Sequence, residues 1–143
     1  MKKRGPKERR PDLVISSFDK IRLLELLGRD PDVAGAATAA DLRGEVERGA
    51  EVRPEDVPPD VVTMNSRVRL RDLRNGGEHT YTIVFPADAD PEHGRLSILD
   101  KLAVELIGCR AGDVITVGSG RNARRFAIEE ILYQPEAAGD FHL

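Results

Sequence analysis

Apolar residues recur at helical spacing through the first third of the chain and at alternating spacing through the rest, and a run of prolines separates the two patterns. Within 17–27, Phe18, Ile21, Leu24 and Leu27 come at three-residue steps with Leu23 and Leu26 beside them, which predicts an amphipathic helix. Ser16 or Ser17 caps its start, Asp19 suits the dipole of its first turn, and Gly28 and Pro31 stop it. Ala39, Leu42, Val46 and Ala50 predict a second, thinner stripe over 38–50, interrupted by Gly44. Two such helices joined by the loop 28–37 imply a short antiparallel hairpin within 13–53, each arm only about 15–20 Å long at about 1.5 Å per residue. Pro54, Pro58 and Pro59 then make a stiff connector, 54–60, because proline fixes φ and biases the residue before it toward extended backbone.

Beyond the connector the period becomes two. Val68, Leu70 and, across a bend, Leu73 alternate with Arg67, Arg69, Arg71 and Asp72, which predicts a half-buried strand. Asn75, Gly76 and Gly77 form a turn into the β-rich run 80–85, so 68–85 reads as a hairpin closed by Pro86. A short strand at 96–98 follows, then a helix over 100–107 ended by Gly108. Gly112 turns the chain into a strand at 114–117, and 118–122 turns it again into a strand over 125–132. The fold class is α+β, with an antiparallel sheet and one helix packed across it.

Composition narrows the function. Forty per cent hydrophobic and 33% charged residues support a folded soluble core, while 4% aromatics and no tryptophan argue against ring-stacking platforms for single-stranded nucleic acid. Residues 1–10 carry Lys2, Lys3, Arg4, Lys7, Arg9 and Arg10 against Glu8, a charge of +5 that leaves −8 on the rest of a chain whose net charge is −3. The segment 1–12, with Pro6 and Pro11, therefore reads as a basic, flexible arm suited at most to weak, salt-dependent contact with nucleic acid. The lone Cys109 forms no internal disulfide, no apolar run approaches the roughly 20 residues that span a bilayer, and no secretory segment follows the basic start. The cytoplasm is the expected compartment. His79, His93 and His142 lack metal-ligand spacing. Neither metal nor cofactor is expected.

Several stretches carry a family resemblance. VRLRDL at 68–73, the run 78–84, GRLSI at 94–98, LIG at 106–108 and GDV at 112–114 resemble the C-terminal domain of the Gre transcript-cleavage factors. DVVTMNSRV at 60–68 and YQPEAAGD at 133–140 resemble more closely the Rnk family, regulators of nucleoside diphosphate kinase. The resemblance covers roughly 60–143. It implies an FKBP-like fold over 61–143, a C-terminal tail included, and RNA polymerase as partner; separately, a monomer without membrane contact is expected. The family's docking loop maps onto Leu99, Asp100 and Lys101, with Lys101 where relatives usually carry proline. In cleavage factors a long hairpin enters the polymerase's secondary channel and presents acidic residues that help hold a metal ion. Here Asp30 and Asp32 occupy the hairpin tip, but the arms have about one third to one half of the required reach. A carboxylate ligates Mg²⁺ only at about 2 Å, so the resemblance implies polymerase binding without stimulation of transcript cleavage. Both aspartates also suit ordinary turn chemistry, and Asp100 also suits a helix cap.

Two rivals come from other classes. An FKBP-like fold admits a peptidyl-prolyl isomerase, but Tyr81, Phe85, Phe126 and Tyr133 must serve both core and pocket, and fold alone does not establish activity. Arg67, Arg69, Arg71 and Arg74 beside the basic arm admit a nucleic-acid-binding module, although such a row is also the ordinary solvent side of a strand. Gly118, Ser119 and Gly120 lack the ending and context of a phosphate loop and read as a hairpin turn, and Cys109 reads as a half-buried structural thiol. The chain is expected to be a binding protein without enzymatic activity.

Overall fold

Ser16 sets the first helix. The computed structural model describes residues 13–143, so the basic arm lies outside the described residues. Ser16 closes strand β1 (Val14–Ser16) in extended conformation and its hydroxyl accepts the Asp19 N–H at 2.9 Å, capping helix α1 (Ser17–Arg29). Asp30 ends α1 and begins α2 (Pro31–Ala34), a single turn inside the stretch predicted as loop. Helix α3 (Ala39–Arg48) leads through Gly49 into β2 (Ala50–Val52), which pairs in parallel with β1, Val14 opposite Ala50 and Ser16 opposite Val52. This strand pair is absent from the sequence reading, since three residues are too few to display a period of two.

The predicted stripe of α1 is rotated. Asp19, Leu23 and Leu27 face the core, whereas Phe18 and Ile21 are 36% and 58% exposed. Three-residue steps lag behind the helical repeat, and Phe18 and Leu27, nine residues apart, are separated by about two and a half turns and so fall on opposite faces.

The second half forms a five-stranded sheet in the order β5-β4-β3-β7-β6, built from β3 (Arg67–Asp72), β4 (Glu78–Val84), β5 (Arg95–Ser97), β6 (Val114–Val117) and β7 (Arg124–Tyr133). The β3–β4 hairpin turns through Gly76 at φ 76°, a left-handed conformation that costs glycine little. Leu73 does not continue the buried row of β3. Alternation holds strictly through Asp72, which is 1% exposed, and Leu73 is left 42% exposed. The sheet is also not wholly antiparallel, because the chain leaves β4 through two short turns, Pro86–Asp88 and Pro91–His93, and re-enters as β5 in the same direction. Between β3 and β7, Arg69 lies opposite Glu130 and Leu70 opposite Ile128, so Glu129 is the extra residue of a bulge.

Helix α4 (Lys101–Leu106) packs beside the sheet, and a final turn, α5 (Pro135–Ala138), follows β7. One core cluster runs through both halves: Leu23, Leu42 and Val46 from the helices join Met64, Leu70, Ile83, Ile98, Leu106 and Ile115 in it, all fully buried. The proline connector 54–60 crosses no gap in this core. Leu42→Ala should therefore cost about 2–5 kcal/mol and destabilise both halves together. Urea unfolding followed by far-ultraviolet dichroism and by exchange of the β3–β4 amides should give coincident transitions, whereas a helical transition preceding the sheet would contradict the shared core.

Candidate docking site

The link from β5 to α4 is short and held at nearly every peptide. Ile98, fully buried, donates its N–H to Val84 O at 2.8 Å; Leu99 N–H donates to Ser97 Oγ at 3.1 Å, and Asp100 N–H to Ser97 O at 2.9 Å. Asp100 then caps α4, its Oδ1 accepting the Leu102 N–H at 2.9 Å. Thr38, from the start of α3, donates its hydroxyl to Leu99 O at 2.6 Å. Leu99 is half-buried, while Asp100 and Lys101 are exposed. The loop thus offers one carboxylate and one ammonium side by side on a braced backbone. A cleft of about 210 Å³, lined by Thr38, Asp41, Lys101 and Glu105 among others, opens next to it.

Asp30 and Asp32 stand elsewhere. Both are exposed, and Asp30 Oδ1 accepts the Asp32 N–H at 3.0 Å as the cap of α2, which is local helix-start chemistry. Asp30 also borders an open groove of about 390 Å³ with Arg22, Leu26 and Phe85. Arg22 is held over the Phe18 ring at 4.0 Å and the Phe85 ring at 4.9 Å, and it pairs with Asp19 at 2.6 Å. Burial pushes the Asp19 carboxyl above its ordinary value, opposed by the Met64 N–H and by Arg22. The signal for this inward acid was its i, i+4, i+8 register with Leu23 and Leu27.

The strand arginines are largely occupied. Arg69 Nη1 lies 2.8 Å from Glu130, Arg71 Nε 2.6 Å from Glu129 and Arg71 Nη2 2.8 Å from Glu78, while Arg74 Nη2 donates to Ala123 O at 3.1 Å. The hydrogen bond from Arg71, with Arg69 adding to it, holds the Glu129 carboxyl below its ordinary value. The bulge at Glu129 is what brings a second acid to this row. Cys109 is buried, its thiol donating to Glu105 O, and residues 118–122 form the β6–β7 turn with Gly118 and Gly120 at positive φ.

The two stretches that carry the closer resemblance meet in space. Gln134 Nε2 donates to Pro58 O and Val61 O at 2.8 and 2.7 Å, and Thr63 Oγ1 donates to Glu136 Oε1 at 2.7 Å. The Tyr133 hydroxyl donates to the Asp140 carboxylate, which, with burial, pushes the phenol up to about 12.

Comparison with known proteins agrees with this architecture. Residues 57–133 match the family described as transcription elongation factor, GreA/GreB, C-term. The chain is similar to the structure of a prokaryotic transcription elongation factor GreA/GreB from Nitrosomonas europaea, with a TM-score of 0.73, 36% identity and coverage of 87% of this chain and 100% of that one. It is 35% identical to the transcription elongation factor GreA of a Nitratiruptor species over 99 residues, 69% of this chain and 61% of that protein. The family match over 57–133 and the likeness of the whole fold place the chain among regulators of the GreA/GreB class. Within that class, the regulator of nucleoside diphosphate kinase of Escherichia coli (strain K12) is 38% identical over 135 residues, covering 94% of this chain and 98% of that protein. The chain belongs to the family of regulators of nucleoside diphosphate kinase.

A pH dependence follows from Asp72, which accepts from Arg124 Nη2 at 2.7 Å and from the Arg74 N–H at 2.8 Å. These bonds, that from Arg124 foremost, hold its carboxyl below the ordinary value. The unfolded chain then takes up the proton first, so the stability Asp72 contributes is fully present above the ordinary carboxylate value and is lost as pH falls through the folded one. Urea midpoints measured from about pH 5 down to about pH 2 should fall more steeply for the wild type than for Asp72→Asn. Parallel curves would discount the Arg124 pair as a cause of acid sensitivity.

Proposed function

We propose that this chain is a transcription regulator that docks on RNA polymerase near the secondary channel, through Leu99, Asp100 and Lys101, and acts by occupancy without stimulating transcript cleavage. The observation that carries the reading is reach. Helix α1 has 13 residues and α3 has 10, so they extend about 20 and 15 Å at about 1.5 Å per residue. That is about one third to one half of what a cleavage-type hairpin needs by the same measure. Asp30 is in any case engaged as a helix cap. The sheet and α4 are read as the FKBP-like docking half, and the loop's braced backbone suits a fixed contact.

The rival readings find less support. Phe126 is 3% exposed, Arg22 lies over the Phe85 ring, Tyr81 stacks on His79 and Tyr133 is engaged by Asp140, so each of the four rings weighed for a proline pocket already has a partner. Arg69 and Arg71 are paired with glutamates, which weakens the case for a phosphate backbone at that face. The relatives' name, regulator of nucleoside diphosphate kinase, fits a regulator, and occupancy of polymerase is the mechanism proposed for it.

Purified protein should displace GreA from core RNA polymerase and leave a backtracked transcript uncut. Lys101→Ala should weaken binding about twofold to fivefold, the scale of one exposed ion pair, with the difference shrinking at high salt. Asp100→Asn, which keeps a capping oxygen, tests the carboxylate's charge apart from the cap. Absence of binding would overturn the docking reading, transcript cleavage would overturn the argument from length, and unchanged affinity in both variants would move the contact to another loop.

A further inference from the structure

Thr38 does not spend its hydroxyl on its own helix. A threonine at a helix start ordinarily adopts extended backbone and accepts an N–H of the first turn. Here Thr38 sits at φ −92°, ψ −3°, makes no side-chain bond to α3, and donates its hydroxyl to the Leu99 carbonyl, 61 residues along the chain, at 2.6 Å. Its backbone still serves α3, since Leu42 N–H donates to Thr38 O at 2.9 Å. Only the side chain is diverted. Thr38 is 7% exposed, so water competes poorly for this bond.

The bond ends on the carbonyl of half-buried Leu99, immediately ahead of the exposed Asp100 and Lys101. The loop's other hydrogen bonds come from its own sheet and helix: Val84 O, Ser97 O, Ser97 Oγ, the Leu102 N–H and the Val104 N–H. On the α3 side a cleft of about 210 Å³ borders Thr38 and Lys101, while the Leu99 side chain packs against the core, so the bond from Thr38 adds a directional tie to a residue already held by packing. Without Thr38 the peptide between Leu99 and Asp100 keeps only its N–H bond to Ser97 O, so its carbonyl side is held less firmly just ahead of the Asp100 cap and Lys101.

We infer that Thr38 is a positioning residue for partner docking: by fixing the Leu99 carbonyl it sets the orientation in which Asp100 and Lys101 are presented, and the helical half contributes to binding as a brace instead of a probe. This inference rests on the docking reading above. It assigns that half a task which needs no reach.

The test compares Thr38→Val, which keeps the shape and removes the hydroxyl, with Thr38→Ser, which keeps the hydroxyl, both in the full chain. Amide hydrogen exchange over 99–102 is measured without polymerase, and affinity for core polymerase separately. Thr38→Val should raise exchange over 99–102 and weaken binding, each about threefold to tenfold, the scale of one hydrogen bond. Exchange in the β3–β4 amides should change far less, and Thr38→Ser should restore both properties. Unchanged exchange over 99–102 in Thr38→Val would overturn the brace. Raised exchange with unchanged affinity would overturn its part in docking, and so would loss of both in Thr38→Ser. Because the exchange measurement involves no partner, failure of polymerase binding as such is distinguished from failure of the brace.

Discussion

The buried carboxylate of Asp19 is the constraint from which the arrangement of the helical half follows. A charged group removed from water is tolerated only with hydrogen bonds and a counter-charge. Asp19 has both, the Met64 N–H at 3.0 Å and the Arg22 guanidinium. The first comes from the segment ahead of β3 and the second from its own helix, so one side chain fixes how far α1 is rotated and against what it leans. With Asp19 turned inward, Leu23 and Leu27 follow it into the core, and Phe18 and Ile21 are left outside. Arg22, drawn over the rings of Phe18 and Phe85, then seals the rim. Removing the carboxylate while Arg22 stays in place would leave a guanidinium against apolar rings with its main partner gone.

Much of the sheet half could be read from residues alone, because its signals are local. The β3–β4 and β6–β7 hairpins follow from alternation broken by glycine-rich turns, and α4 from an aspartate cap and a closing glycine. What escaped the reading depends on partners far along the chain. The β1–β2 pair joins two three-residue strands across the whole helical segment, and β5 pairs with β4 in parallel, which no turn signal announces. Asp72 is a polar residue at an inward position, legible only once Arg124 is known to lie beside it. The docking loop itself was placed by resemblance at Leu99, Asp100 and Lys101, and the cap role of Asp100 was legible from its type. Thr38 carried no mark, since threonine ahead of a helix predicts a local cap and not a bond to a distant carbonyl.

The stretches that carried the family resemblance turn out to be joinery. Residues 60–68 and 133–140 touch through Gln134, Thr63 and Glu136, so these side chains serve to fasten the chain end to the segment ahead of β3. Burial raises the Glu136 carboxyl, partly offset by the Thr63 hydroxyl, as expected of an acid used to fasten a chain end. A sequence signature can therefore be specific to a family and still say little about the surface that family presents.

The parallel pair of β1 and β2 has a consequence for how such proteins diversify. Helix α1 departs from β1 at Ser16, and α3 returns to β2 through Gly49, so the first residue of one helix and the last of the other are seated on the same small base. Material added in matched whole turns at the far ends of α1 and α3 leaves that seat untouched. The far end is tied differently: Val33 and Ala39 are buried there and Thr38 bonds the Leu99 carbonyl, so a lengthened hairpin would keep its seat on the strand pair and give up its hold on the docking loop.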